Sequence, residues 1–246
     1  MDDQREARMR GLSSFRLKVI GDALLTFSIA GGTVIPRMMG SEKDSMASMT
    51  ILVVCEIVSW VAVPIFSWLL VSGYEHTSNA GMYAARLLAL AVISEVPYDL
   101  STSGASVDWS SQNPVFGLLI ALLMLMVMDW ARRFPDRLRR VIVVAVAASA
   151  LVWVLVLRIG VRQKMVNVGL LIVAFVLVFR LLRTRENTMI FAAGLVGAMA
   201  FVFPALGVAI LHFRNDELGY SHAWTRWAFY AFYPAMMLAC VVIASI

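Results

Sequence analysis

Residues 60–79 read WVAVPIFSWLLVSGYEHTSN, an apolar run of membrane length that stops at Gly73 and delivers Tyr74, Glu75, His76 and Thr77 just beyond it. An α-helix needs about 20 predominantly apolar residues to cross a bilayer, so the run reads as the end of a membrane span. Pro64 lies inside it and marks an expected kink. His76 is one of three histidines in the chain. A proton-exchanging side chain at a membrane boundary is the first place to look for chemistry.

The rest of the chain has the same character. Hydrophobic residues make up 61% of it and charged residues 15%, with a mean hydropathy of +0.80, far from a water-soluble domain. The expected fold class is therefore all-α, a polytopic transmembrane helix bundle of about eight spans. Residues 1–13 read as a cytoplasmic tail, too polar for a signal peptide, and 14–246 as a single transmembrane helical domain. The net charge of +5 comes from basic residues in short loops, which is a topology signal. No basic stripe is interleaved with exposed aromatics, so nucleic acid is not an expected partner. Cys55 and Cys240 lie inside apolar runs without metal-ligand spacing and read as small buried hydrophobes, with no metal expected.

Spans are expected at about 14–35, 48–72, 81–100, 115–130, 141–157, 165–182, 188–213 and 224–246, the seventh broken by Pro204. Ser13 and Ser14 are candidate caps for the first. Asp22 and Glu56 fall within spans, where a carboxylate needs a partner or an aqueous cavity; for Asp22 a solvated position at the interface is the other reading. Glu95 and Asp99 are four residues apart, with Pro97 expected to break the helix between them. The run WTRWAFYAFYP at 224–234 reads first as an interfacial aromatic belt and second as a ligand cage. Most of the 21 basic residues fall on the side of the N-terminus. Both termini are accordingly expected to be cytoplasmic, in a cell membrane. His76 and Glu75 then lie toward the cytoplasm and Glu95 and Asp99 toward the exterior, roughly 20 to 30 Å apart for a full span.

Several blocks resemble the TraX family, membrane proteins associated with N-acetylation of conjugative pilin and related to integral-membrane acyltransferases. They are LSSFRLKVIG at 12–21, AVPIFSWLLVSGYEHTSN at 62–79, ISEVPYDL at 93–100, NPVFGLLIALL at 113–123 and FYAFYP at 229–234. ISEVPYDL is the most specific. The chain departs from the family pattern where an Asp-His pair is replaced by Ser28 and Ile29, and a Gly-Arg pair by Ser59 and Trp60. Met236 stands for a histidine and Lys164 for an acidic residue.

The resemblance implies transfer of an acetyl group from acetyl-CoA, the co-substrate, to an amine or hydroxyl of an exported polypeptide, glycan or lipid. It points to His76, Glu95 and Asp99 as catalytic residues, Arg86 as a partner of CoA phosphates, and Asn113 and Tyr233 as substrate-binding residues. The other partners are the lipid bilayer and the unidentified acceptor. Two alternatives stay open: a catalytically degenerate member acting in binding or assembly, and a small transporter using intramembrane carboxylates. No Walker motif, zinc signature, nucleophile elbow or dinucleotide fingerprint supports a different enzyme. An acyltransferase should show a tunnel lined by His76 or Arg86 reaching toward Glu95. A transporter should show a central cavity around Asp22 and Glu56.

Overall fold

Four asparagine and serine side chains start helices as their chemistry dictates. Ser13 Oγ accepts the Arg16 N–H, Asn79 Oδ1 the Met82 N–H, Asn113 Oδ1 the Val115 N–H and Asn167 Oδ1 the Leu170 N–H. The computed structural model describes residues 11–38, 46–161, 166–215, 217–220, 222 and 224–246. Its helices are α1 Ser14–Gly32, α2 Val34–Met38, α3 Met46–Ser59, α4 Ala62–His76, α5 Ala80–Thr102, α6 Pro114–Trp130, α7 Asp136–Val156, α8 Val168–Leu181, α9 Glu186–Met199, α10 Phe203–His212 and α11 Thr225–Ser245. The described residues form no β-strand beyond isolated bridges. The all-helical reading of the sequence therefore stands.

Among the described residues, five stretches are long and apolar enough to cross a membrane: Met46–His76, Ala80–Thr102, Pro114–Arg133, Asp136–Val156 and Thr225–Ser245. The remaining expected spans differ. Helix α1 carries Arg16, Lys18 and Asp22 within its 19 residues, and α8 has only 14 residues. The expected break in the second span also moves, from Pro64 to Trp60 and Val61. Proline 64 has no N–H to offer the Trp60 carbonyl. The Val63 N–H takes that carbonyl at 3.1 Å instead, and Trp60 and Val61 close tight turns onto Ile57 and Val58. Pro97, expected to interrupt the third span, sits inside a continuous α5, since unwinding there would leave more backbone groups unpaired in an apolar setting than the one N–H proline removes.

The largest correction concerns 188–213, expected as one broken span. Phe201 and Val202 both have positive φ, 62° and 67°, and they reverse the chain so that α9 and α10 form an antiparallel hairpin. Arg214, just past α10, pairs with Glu186 at the start of α9 at 3.0 Å, so the hairpin begins and ends at the same end of the bundle. That end also holds the start of α1, whose approach is bonded to Phe213 and Asn215 through Leu12. Helix α11 starts there too, with Phe229 against Phe15. Its far half packs Met236, Met237 and Cys240 with Ile29 and Tyr98. The chain thus leaves the bundle at the end opposite to the start of α1. The expectation that both termini share one side rested on a seventh span that crosses, whereas this hairpin returns.

The core lies among α4, α6 and α8, where Trp68 packs edge-on against Phe179 at 5.5 Å and Phe175 stacks on Phe179 at 5.9 Å. One glycine permits a close crossing: a Cβ on Gly207 of α10 would sit 2.1 Å from the Val61 carbonyl oxygen. The hairpin is seated on the α3–α4 break in this way.

Candidate functional site

Helix α1 carries Ser14, Lys18, Asp22, Leu25 and Ile29 at steps of four, four, three and four, which places them on one helical face. That face lines a cavity of about 610 Å³, in the range typical of small-molecule sites. Helices α3, α4, α5 and α11 supply the other walls, and Val115 of α6 and Ile172 of α8 also line it. Asp22, which the sequence left between bundle interior and interface, belongs to the cavity.

The outer rim is cationic. Lys18, Arg86 and Arg226 all line it, together with His76. Lys18 Nζ lies 3.4 Å from the Tyr220 hydroxyl and 5.2 Å from the ring centres of Tyr220 and Phe229, so the ammonium is held by aromatic faces. Arg86 and Arg226 form no ion pair among the described residues. His76 is exposed, and its Nδ1 is 2.7 Å from the Ser72 carbonyl oxygen. A carbonyl only accepts, so Nδ1 carries the proton and Nε2 is the acceptor of the neutral ring.

The inner end is lined by Ser28, Glu56, Ser59, Trp60 and Tyr98. Ser28 Oγ donates to Glu56 Oε2 at 2.6 Å, both residues being buried. Five of the chain's six tyrosines, Tyr83, Tyr98, Tyr220, Tyr230 and Tyr233, face the same space. The aromatic run at 224–234 therefore divides: Phe229, Tyr230 and Tyr233 line the cavity, while Trp224 and Trp227 are exposed.

Glu75 has a different job from its neighbour His76. It pairs with Arg180 at 3.0 Å and Arg183 at 2.7 Å. Arg180 also pairs with Asp129, which receives the Tyr74 hydroxyl at 2.9 Å and Arg132 at 3.1 Å. This network ties the ends of α4, α6 and α8 beside the cavity rim.

Glu95, Asp99 and Asn113 meet at the other end of α5, off the cavity lining. Asn113 is fully buried; its Nδ2 donates to the Ala91 carbonyl at 2.8 Å and to Glu95 Oε2, which also receives the Asn113 backbone N–H at 3.2 Å. Asp99 Oδ2 accepts the Asp108 N–H at 2.8 Å. The hydroxyl of Tyr98 is 3.2 Å from Ser111 Oγ. These contacts pin the 103–113 loop to α5. In the loop, the backbone N–H of Ser110 and then its hydroxyl hold the Asp108 carboxyl below the usual carboxylate range.

The structure therefore brings His76, Arg86 and Tyr233 together on one cavity and gathers Glu95, Asp99 and Asn113 elsewhere. Arg86 and Glu95 are nine residues apart on α5, about 13 Å along its axis. Ser28, Ile29, Ser59 and Trp60, four of the positions where the resemblance led us to expect other residues, all line the cavity. Met236 joins the smaller core cluster instead, and Lys164 lies outside the described residues. The Ser28–Glu56 pair was missed because its members come from separate helices. The spacing on α1 was the readable sign of a cavity.

The family model described as TraX protein matches residues 38–244. No curated protein and no solved structure matches the chain.

Proposed function

The chain belongs to the TraX family, and from that premise we propose that it is a multi-pass membrane protein moving an acyl group, acetyl in the simplest case, from acyl-CoA to an amine or hydroxyl of an exported polypeptide, glycan or lipid. The observation that carries this reading is the cavity's polarity, with Lys18, Arg86 and Arg226 at its rim and Ser28 and Glu56 at its inner end. Acyl-CoA presents phosphates at one end of a long, narrow arm and a thioester at the other. Lys18 and Ser28 are ten residues apart on α1, about 15 Å along the helix. A ligand with an anionic head and an extended tail suits that space. Arg86 and Arg226, lacking carboxylate partners among the described residues, have charge available for phosphate oxygens.

The rim faces the cytoplasm in this reading, the side on which acyl-CoA is made and to which the basic segment Arg132–Arg140 belongs. His76 exchanges protons between the cavity and water through Nε2. Tyr233 helps hold the acceptor. Glu95, Asp99 and Asn113 act by positioning, fixing the exterior loop under which the acceptor approaches.

Acetyl-CoA binding to the purified protein in nanodiscs tests the assignment. Each of Arg86→Ala and Arg226→Ala should weaken binding by about 10-fold or more, as loss of one charged hydrogen bond implies, and added salt should weaken the wild type. Absence of binding by the wild type at millimolar acetyl-CoA would remove the reading. A transporter is the second reading, favoured because the cavity surrounds Asp22 and Glu56, as expected of a transporter, and does not reach Glu95, as expected of an acyltransferase. It requires protein-dependent solute uptake into vesicles that Glu56→Gln abolishes, without any acyl transfer.

A further inference from the structure

The acyl-transfer reading leaves open which atom first receives the acyl group, and the geometry points to Ser28 as a nucleophile that forms an acyl-enzyme, with Glu56 as its base and the indole N–H of Trp60 as donor to the oxyanion. This inference rests on that reading and goes beyond it.

Three observations converge. First, the Ser28 hydroxyl already donates to Glu56 Oε2 at 2.6 Å, the arrangement a weak oxygen nucleophile needs before it can lose its proton. Second, the pair is rigidly set: one turn further along α1, a Cβ on Gly31 would sit 2.4 Å from Cys55 Cβ, so α1 and α3 touch backbone to side chain beside Glu56. Third, Trp60 lies one turn beyond Glu56 on the same cavity, 2% exposed, and its Nε1 has no hydrogen-bond partner among the described residues. Its ring is held against Phe201 at 5.7 Å. A buried donor without an acceptor is costly unless something supplies one. The oxygen of a tetrahedral intermediate at Ser28 is such an acceptor, and stabilising it is where preorganised donors contribute most.

The step balances without any further reactant. Ser28 Oγ attacks the thioester carbonyl carbon and its proton passes to Glu56. The C–S bond then breaks, CoA sulfur takes the proton from Glu56 and leaves as the thiol, and the acyl group stays on Ser28 as an ester. In the second half the acceptor nitrogen or oxygen attacks that ester carbonyl and gives its proton to Glu56. Glu56 returns a proton to Ser28 Oγ as the C–O bond breaks. The burial of Ser28 and Glu56, 2% and 4% exposed, keeps bulk water from hydrolysing the ester between the two halves.

The test uses the full chain in nanodiscs with acetyl-labelled acetyl-CoA and no acceptor, acid-quenched and mapped by peptide mass spectrometry, with free CoA thiol measured in parallel. Wild type should release CoA in a single burst and carry an acetyl group on Ser28. Ser28→Ala should carry none and show no burst, and Glu56→Gln should slow acylation by about 100-fold. Ser28→Cys, which preserves size and a proton to donate, should carry the acetyl as a hydroxylamine-labile thioester. That variant separates lost chemistry from lost folding. CoA release by the wild type with Ser28 unmodified, or turnover by Ser28→Ala at the wild-type rate, overturns the inference and leaves acyl transfer standing. No CoA release with any acceptor tried, and no acetyl-CoA binding, overturns both.

Discussion

Replacing Asn113 by alanine removes one side chain and breaks three hydrogen bonds. Asn113 Oδ1 accepts the Val115 N–H at 2.9 Å, and Nδ2 donates to the Ala91 carbonyl at 2.8 Å and to Glu95 Oε2. Loss of the helix cap costs about 1 kcal/mol. The Ala91 carbonyl keeps its helical donor and Glu95 Oε2 keeps the Asn113 backbone N–H at 3.2 Å, but each loses the side-chain amide in a site where Asn113 has no exposed surface, at about 1 kcal/mol each. The total is about 3 kcal/mol. At about 2–4 °C per kcal/mol for a chain of this length, the melting temperature should fall by about 6–12 °C. The assay is thermal unfolding in detergent followed by circular dichroism, on Asn113→Ala and Asn113→Asp. The aspartate keeps the cap but faces Glu95, so it should fall at least as far. Adding Glu95→Gln to Asn113→Asp restores an amide–carboxylate pair with the roles exchanged and should recover about 1 kcal/mol. An Asn113→Ala protein melting within about 2 °C of wild type, with acetyl-CoA binding lost, would refute the positioning role and return Asn113 to direct substrate contact.

Two further outcomes follow from the same contacts. Arg180→Ala breaks the pairs with Glu75 and Asp129 that join α4, α6 and α8 and should cost about 3 kcal/mol in the same melting assay; Arg180→Lys should recover less than half, because one ammonium does not fork to two carboxylates. Val202→Gly should raise stability by about 1 kcal/mol, since Val202 has φ 67° and an exposed side chain and glycine adopts that backbone without strain; no gain would mean that the α9–α10 reversal is relaxed as it stands.

What could be read from sequence follows the physics of each signal. Apolar run lengths report membrane helices directly, and the segments around 48–72, 81–100 and 115–130 emerge close to their expected places. Of the two serines offered as caps for the first helix, Ser13 is the cap and Ser14 the first helical residue. The hairpin of α9 and α10 was hidden because its reversal is made by Phe201 and Val202, two apolar residues in a conformation their side chains do not announce; Pro204, at the start of α10, was the only visible mark. In the site, His76, Arg86 and Tyr233 were singled out from three separate segments, and the cavity collects them. Glu95 and Asp99 are expected on one side of the membrane, four residues apart, and they share one end of α5. What sequence spacing does not convey is that Asn113 and the Asp108 backbone occupy them. Glu56 was visible as an intramembrane carboxylate, yet only the crossing of α1 and α3 at Gly31 and Cys55 gives it Ser28.

The most direct measurement supplies acetyl-labelled acetyl-CoA to the outside of membrane vesicles carrying the protein, prepared inside-out and right-side-out, and follows label into protein, glycan and lipid. The account predicts protein-dependent label in inside-out vesicles only, where the cationic rim meets the acetyl-CoA, and its loss with Arg86→Ala and Arg226→Ala together. Label no greater than in vesicles lacking the protein, in both orientations, would contradict acyl transfer by this chain.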